Sequence, residues 1–315
     1  MLIIGVDVGG MSIKAGIVND NGKIIDKQVC KTAPTSDKCI ADIKNLIKTL
    51  LKKNNIKKED VLGVGFGFPG TVSSATGFVD FLPNMNWRNV DFASEMKDID
   101  LPIKISNDAN VATLGEIKFG AGKGYKNAVM LTIGTGVGGG IVIDGKLFEG
   151  VESKGAELGH TTLILGGEQC GCGRRGCVEA YVSASALIRD TISAMKKDKN
   201  SLLWQICGGS LENVSGITFF EAVDKNDECA KKVYKQYISY LSETIMNFCN
   251  IFRPEIILLG GGISAQGDKL ISPIKEYCKE FDYGYKGAPI PEIRVASNGN
   301  DAGIIGAASL FVDWF

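Results

Sequence analysis

The sequence predicts an α/β protein made of two related halves, on three observations. A strand, a glycine turn and a second strand open the chain around Asp7-Val8-Gly9-Gly10-Met11-Ser12-Ile13-Lys14. The same device returns at Ile133-Gly134-Thr135-Gly136-Val137-Gly138-Gly139-Gly140, and each copy starts a run of alternating strand-like and helix-like segments. Between them stands a strand-to-helix junction at Asn107-Asp108. Backbone N–H groups at such glycine turns form concavities for phosphate oxygens, although one turn alone reads equally well as a plain hairpin. A pair in register suits a phosphate-bearing ligand gripped from both sides.

In chain order, 2–8 and 13–18 are the first hairpin and 23–31 a third strand. Asp7, at a strand end, is placed to hold hydrated magnesium. The loop is not of Walker type, because no Gly-Lys-Ser/Thr opens a helix. Residues 37–54 are helical, with Ile40, Ile43, Ile47 and Leu50 on one face. A strand at 61–68 enters the turn Pro69-Gly70-Thr71, and 78–87 reads as irregular, offering amides and Trp87. The strand 103–106 delivers Asn107-Asp108-Ala109-Asn110 to a helix ending near Phe119. Asp108 reads either as the cap of that helix or as a general base.

Strands at 127–133 and 137–144 form the second hairpin, and 183–196 is helical. Residues 202–215 are weakly patterned and read as peripheral, and Thr218 to Glu221 has capping-box spacing. Ala230, Val233, Tyr237, Leu241, Ile245 and Phe248 make a long apolar stripe, either core or subunit interface. A strand at 255–259 runs into Gly260-Gly261-Gly262, a place to admit an adenosine or its phosphates. A helix at 270–281, a strand at 293–296 and a helix at 301–311 complete the chain.

The densest chemistry is His160 followed by Cys170-x-Cys172-x4-Cys177 in a glycine-rich loop. His160 is the sole histidine. Three soft thiolates and one imidazole suit a closed tetrahedral zinc site; the plain alternative is a core histidine near clustered cysteines. Glu157 and Glu179 bracket the set, so a structural metal there fixes two carboxylates into one wall. Charge is balanced, 35 basic against 36 acidic residues, which excludes nucleic-acid binding by bulk charge. No signal peptide opens the chain, and the apolar tract 128–143 is too short and too interrupted to span a bilayer. Nine cysteines, mostly single, indicate reduced thiols and a cytoplasmic location.

Taken together, Asp7-x-Gly-Gly-x-x-x-Lys14, Asn107-Asp108, the 133–140 loop, Glu157-x-x-His160, Cys170-x-Cys172-x4-Cys177-x-Glu179 and Gly260-Gly-Gly resemble the ROK family (repressors, open reading frames and kinases) across essentially the whole chain. The resemblance implies a two-lobe, actin-like ATPase (ribonuclease-H-like) fold with an inserted zinc loop: a small lobe of 1–106 plus 300–315 and a large lobe of 107–299. It implies Asp108 as catalytic base; Gly70, Asn107, Glu157, His160 and Glu179 as sugar contacts; and His160, Cys170, Cys172 and Cys177 as ligands of structural zinc. Asp7, Gly9, Gly10, Lys14, Gly134, Thr135 and Gly136 would serve ATP and magnesium, with Gly261 and Gly262 flanking the adenosine. Met11 departs from the family's threonine, so a hydroxyl is absent from the first phosphate loop. The implied activity is ATP-dependent phosphorylation of glucose at its 6-hydroxyl, in a cytoplasmic homodimer with no nucleic-acid or membrane partner. N-acetylmannosamine kinase and fructokinase are the close alternatives. A repressor of the same family would need a DNA-binding domain ahead of the first hairpin, for which the sequence has no room. A non-catalytic sugar sensor would not need Asp108 beside intact glycine loops.

Overall fold

The computed structural model describes residues 1–281 and 290–312. Residues 282–289 of the expected large lobe and 313–315 of the small one lie outside the described residues. The chain divides into two units, one of residues 1–130, 139–156 and 296–315, the other of 131–138 and 157–295.

The first unit opens with β1 (Leu2–Val8), β2 (Ser12–Asn19) and β3 (Ile24–Lys31), a three-stranded antiparallel meander. Helix α1 (Ser36–Lys53) then leads to β4 (Val61–Phe68), which returns parallel to β1. Ile40, Ile43, Ile47 and Leu50 of α1 are fully or nearly fully buried, each burial worth about 1.5–3 kcal/mol. Strand β5 (Thr71–Ser73), β6 (Phe78–Leu82) and β7 (Trp87–Val90) form a small antiparallel sheet. The irregular reading of 78–87 is thus corrected. Two asparagines in the left-handed region, Asn86 and Asn89, turn a segment that lacks simple alternation into strand. Trp87 is not offered to a ligand; it is 2% exposed. Its ring lies 6.1 Å from that of Phe68, which meets Phe92 edge-on at 5.0 Å.

After α2 (Phe92–Glu95), β8 (Ile103–Asn107) pairs parallel with β4, giving the sheet order β3-β2-β1-β4-β8. Helix α3 (Asp108–Phe119) follows without a loop and is buried on all sides. No amphipathic stripe could have revealed it. It packs on the last helix through two glycines: a Cβ on Gly115 would lie 2.8 Å from the Gly306 Cα.

Strands β9 (Ala128–Ile133), β10 (Val137–Ile143) and β11 (Lys146–Phe148) repeat the opening meander. With later strands they give the order β11-β10-β9-β12-β13, the same arrangement as the first sheet. The duplication read from two glycine hairpins is therefore a duplication of sheet topology. The second unit continues through α4 (Glu179–Val182), α5 (Ala184–Lys197), α6 (Leu203–Ile206), α7 (Gly216–Asp224) and α8 (Glu228–Phe252). Leu203, Cys207 and Val214 are buried, so 202–215 contributes to the core. The capping box of α7 is Ser215 with Thr218, not Thr218 with Glu221; the helix starts one turn earlier than the spacing predicts. On α8, Ala230, Tyr237, Leu241, Ile245 and Phe248 are buried, which makes that stripe core. Strand β12 (Ile256–Gly260), α9 (Asp268–Phe281), β13 (Glu292–Val295) and α10 (Ala302–Ser309) end the described chain. Among the described residues, no helix is long and apolar enough to cross a membrane.

Candidate functional site

The first unit presents two groups of the expected site residues. Gly9, Gly10 and Met11 form the turn between β1 and β2, closed by the Gly9 N–H donating to Ser12 O at 3.0 Å. Asp7, late in β1, lies with Oδ2 3.4 Å from Lys14 Nζ across the hairpin. Burial pushes the Asp7 carboxyl above the ordinary aspartate value, and the Lys14 ammonium pulls the other way without cancelling it.

The second group is the β8–α3 junction. Asn107, not Asp108, takes the N-cap: its Oδ1 accepts from Ala109 N at 2.9 Å and Asn110 N at 3.4 Å. Its Nδ2 meanwhile donates to Gly70 O at 3.1 Å, tying the junction to the turn after β4. Asp108 is exposed at the first residue of the helix, with Oδ1 accepting from Ala109 N at 2.8 Å. A further polar cluster, which no local pattern announces, sits beside this junction. Glu149 accepts from Ser106 Oγ at 2.5 Å and from Ser74 Oγ at 2.7 Å, although Ser74 and Ser106 lie far from it in sequence.

In the second unit the cysteine loop closes as its spacing predicts. One donor atom from each of His160, Cys170, Cys172 and Cys177 lies within 4.8 Å of every other. Cys170 Sγ is 3.7 Å from His160 Nδ1, and Cys172 Sγ is 3.7 Å from Cys177 Sγ. Tetrahedral zinc with ordinary bond lengths would set such pairs about 3.6–3.8 Å apart, so the donor set fits that ion. The loop is shaped by Cys170 N donating to Arg174 O at 2.9 Å and by Arg174 Nη1 donating to His160 O at 2.9 Å. Burial pushes the Cys170 thiol up to about 12, while the Arg174 N–H holds Cys172 below the usual thiol value. A coordinated cation would deprotonate all three.

The second glycine turn adjoins this cluster. Gly134 O accepts from Ala184 N at 2.8 Å, and Thr135 O accepts from Ser185 Oγ at 2.8 Å. Glu179, first residue of α4, accepts the Val137 N–H on Oε2 at 3.0 Å and the Cys170 thiol on Oε1 at 3.3 Å. One carboxylate thus joins the glycine turn to the metal-type cluster. Gly159, just before His160, approaches so closely that a Cβ there would lie 2.0 Å from Val137 O. Gly261 and Gly262 follow β12, and Gly261 packs its backbone on Ile133 at the entry to the turn. Glu157 is exposed at the head of the short turn bearing His160.

The structure therefore assembles Asp7, Gly9, Gly10 and Lys14, and separately Gly70, Asn107 and Asp108, in the first unit. His160, the three cysteines, Glu179 and the 134–136 turn come together in the second. Duplicated α/β sheets, paired glycine turns and a helix-leading acid are the parts that a nucleotide-dependent phosphotransferase needs. The ROK family model matches residues 3–313, and the chain belongs to the ROK family. It is 37% identical to a glucokinase of Thermotoga maritima, over 98% of this chain and 96% of that one. To a glucokinase of Halalkalibacterium halodurans it is 36% identical, over 98% and 94%. Among solved structures, a ROK glucokinase of Streptomyces griseus in complex with glucose and AMPPNP superposes with a TM-score of 0.82 at 32% identity, covering 98% of this chain and 99% of that one. The fold is the two-lobe, actin-like α/β fold that the sequence predicts.

Proposed function

We propose that this chain is an ATP-dependent hexose kinase that transfers the γ-phosphoryl group to the 6-hydroxyl of glucose. The observation that carries the reading is the double use of Asn107, which caps α3 and bonds Gly70 while Asp108 stands exposed beside it. Full-length similarity to glucokinases supports hexose and ATP as the substrate pair.

In this mechanism the Asp108 carboxylate accepts the proton of the attacking hydroxyl, an effect worth about 10²–10⁴-fold. Asn107, Gly70, Glu157, His160 and Glu179 orient the sugar. Glu157 and Glu179 each accept hydrogen bonds from sugar hydroxyls, which discriminates against analogues that lack the matching hydroxyl. Main-chain N–H groups of the two glycine turns, with Lys14, hold the nucleotide phosphates, and Gly261 and Gly262 flank the adenosine. Magnesium, when bound with ATP, neutralises charge on the phosphates; Asp7 is the carboxylate placed to hold its hydration shell. Zinc at the cysteine loop would be structural, since four protein ligands leave no open position. Asp108→Asn is expected to lower kcat by at least about 10²-fold while glucose still binds, as read by sugar-dependent ADP formation and by calorimetric titration. Retained turnover in that variant would refute the base assignment, and a wild-type protein that phosphorylates no hexose would refute the function.

A further inference from the structure

The turn between β1 and β2 carries Met11, whose side chain is 88% exposed and brings no polar atom to a phosphate. The turn therefore has only its main chain to offer. Gly9 N–H is already spent on Ser12 O. Two of the turn's carbonyls, those of Gly9 and Met11, are held by a single residue outside it, Thr32, which directly follows β3. Thr32 Oγ1 donates to Gly9 O at 2.5 Å, and Thr32 N donates to Met11 O at 3.1 Å. Among the described residues, the N–H groups of Gly10 and Met11 have no acceptor. Both residues are exposed.

A trans peptide is planar, with its C=O and the following N–H pointing in opposite directions. Holding Gly9 O against the Thr32 hydroxyl therefore turns the Gly10 N–H away from Thr32, towards solvent. Unpaired, outward N–H groups on a glycine turn are what an anionic oxygen requires. We propose that Thr32 is a positioning residue of the nucleotide site. Its hydroxyl fixes the Gly9–Gly10 peptide so that the Gly10 N–H meets a phosphate oxygen of ATP. The proposal rests on the first glycine turn being a phosphate loop, as proposed above. Thr32 touches neither substrate, so its contribution is to the orientation of a donor.

Thr32→Val removes the hydroxyl and keeps the shape and the backbone donor, while Thr32→Ser keeps the hydroxyl. Losing one such hydrogen bond is expected to raise the KM for MgATP about three- to tenfold in the valine variant. The KM for glucose should stay within about twofold, and serine should restore the wild-type value. ADP binding by calorimetry should weaken in parallel. An unchanged KM for MgATP, an equal rise in both KM values, or failure of serine to rescue would overturn the proposal. Should the valine variant not fold, an unaltered ADP affinity in Thr32→Ser is still required. A wild type that binds ADP but phosphorylates no hexose would sink the kinase reading while leaving the Thr32 comparison decisive. A wild type that binds no nucleotide would sink both.

Discussion

The first glycine turn, 9–11, has the carbonyls of Gly9 and Met11 held by Thr32 alone, whereas the second, 134–136, is braced from several segments at once. Ala184 and Ser185 hold its carbonyls, Glu179 takes the Val137 N–H, and Gly159 lies against Val137 O. Two of those braces, Gly159 and Glu179, flank the metal-type cluster in sequence. Equivalent turns on topologically equivalent sheets have thus acquired different supports. The first can be retuned by one side chain; the second inherits its geometry from the cysteine loop.

The largest effect should come from removing the closest brace. Gly159→Ala would place a Cβ 2.0 Å from Val137 O, with backbone on both sides, so either β10 or the turn bearing His160 must move. We expect loss of kcat/KM by at least about 10²-fold, since misplacement on the order of 1 Å already costs that much. Gly134→Ala is the contrasting variant, because a Cβ there meets nothing within 4 Å. It should keep the wild-type Tm and alter only the nucleotide response. Equal damage from both would mean that the second turn is not braced as described.

Next in size is removal of a thiolate. Cys172→Ser, or chelation of the wild type, should lower kcat/KM about tenfold, within the range usual for disturbed metal sites. The KM for ATP and for glucose should rise together, because Glu179, two residues after Cys177, accepts the Val137 N–H of the glycine turn. Metal content and the two KM values, measured on the same samples, decide the matter. If metal is lost and only the glucose KM changes, the link through Glu179 fails.

Much of this was legible in the sequence wherever the determining contacts are local. Hairpins, the amphipathic α1 and the ligand spacing of the cysteine loop are patterns within a few tens of residues, and each appears where its pattern places it. The segment 78–90 escaped because left-handed asparagines, not alternation, shape its strands. Helix α3 was read from its strand-to-helix junction and ends where that reading puts it; it has no apolar stripe because it is buried all round and packs through glycine on α10. The supports of the site were the least visible part. Thr32 reaches Gly9, and Glu149 reaches Ser74 and Ser106, through single polar bonds between distant segments. An isolated threonine or glutamate carries no periodicity that would mark such a bond.

The smallest expected effect distinguishes the turns by charge. Near the first turn Asp7 is a half-buried carboxylate whose pKa is raised by desolvation, with Lys14 as a partial remedy. Its folded value lies above its unfolded one. The stability it contributes is therefore complete below the ordinary aspartate range and is lost as pH rises through the raised value. At neutral pH the ionised group works against folding. Asp7→Asn removes that charge and should raise Tm by about 1–4 °C at pH 7, with no gain near pH 3, where aspartate is itself neutral. Turnover should fall, because a carboxylate placed for magnesium has gone. Thermal melts at the two pH values test this directly: a lower Tm for the variant at pH 7 would mean that Lys14 outweighs desolvation.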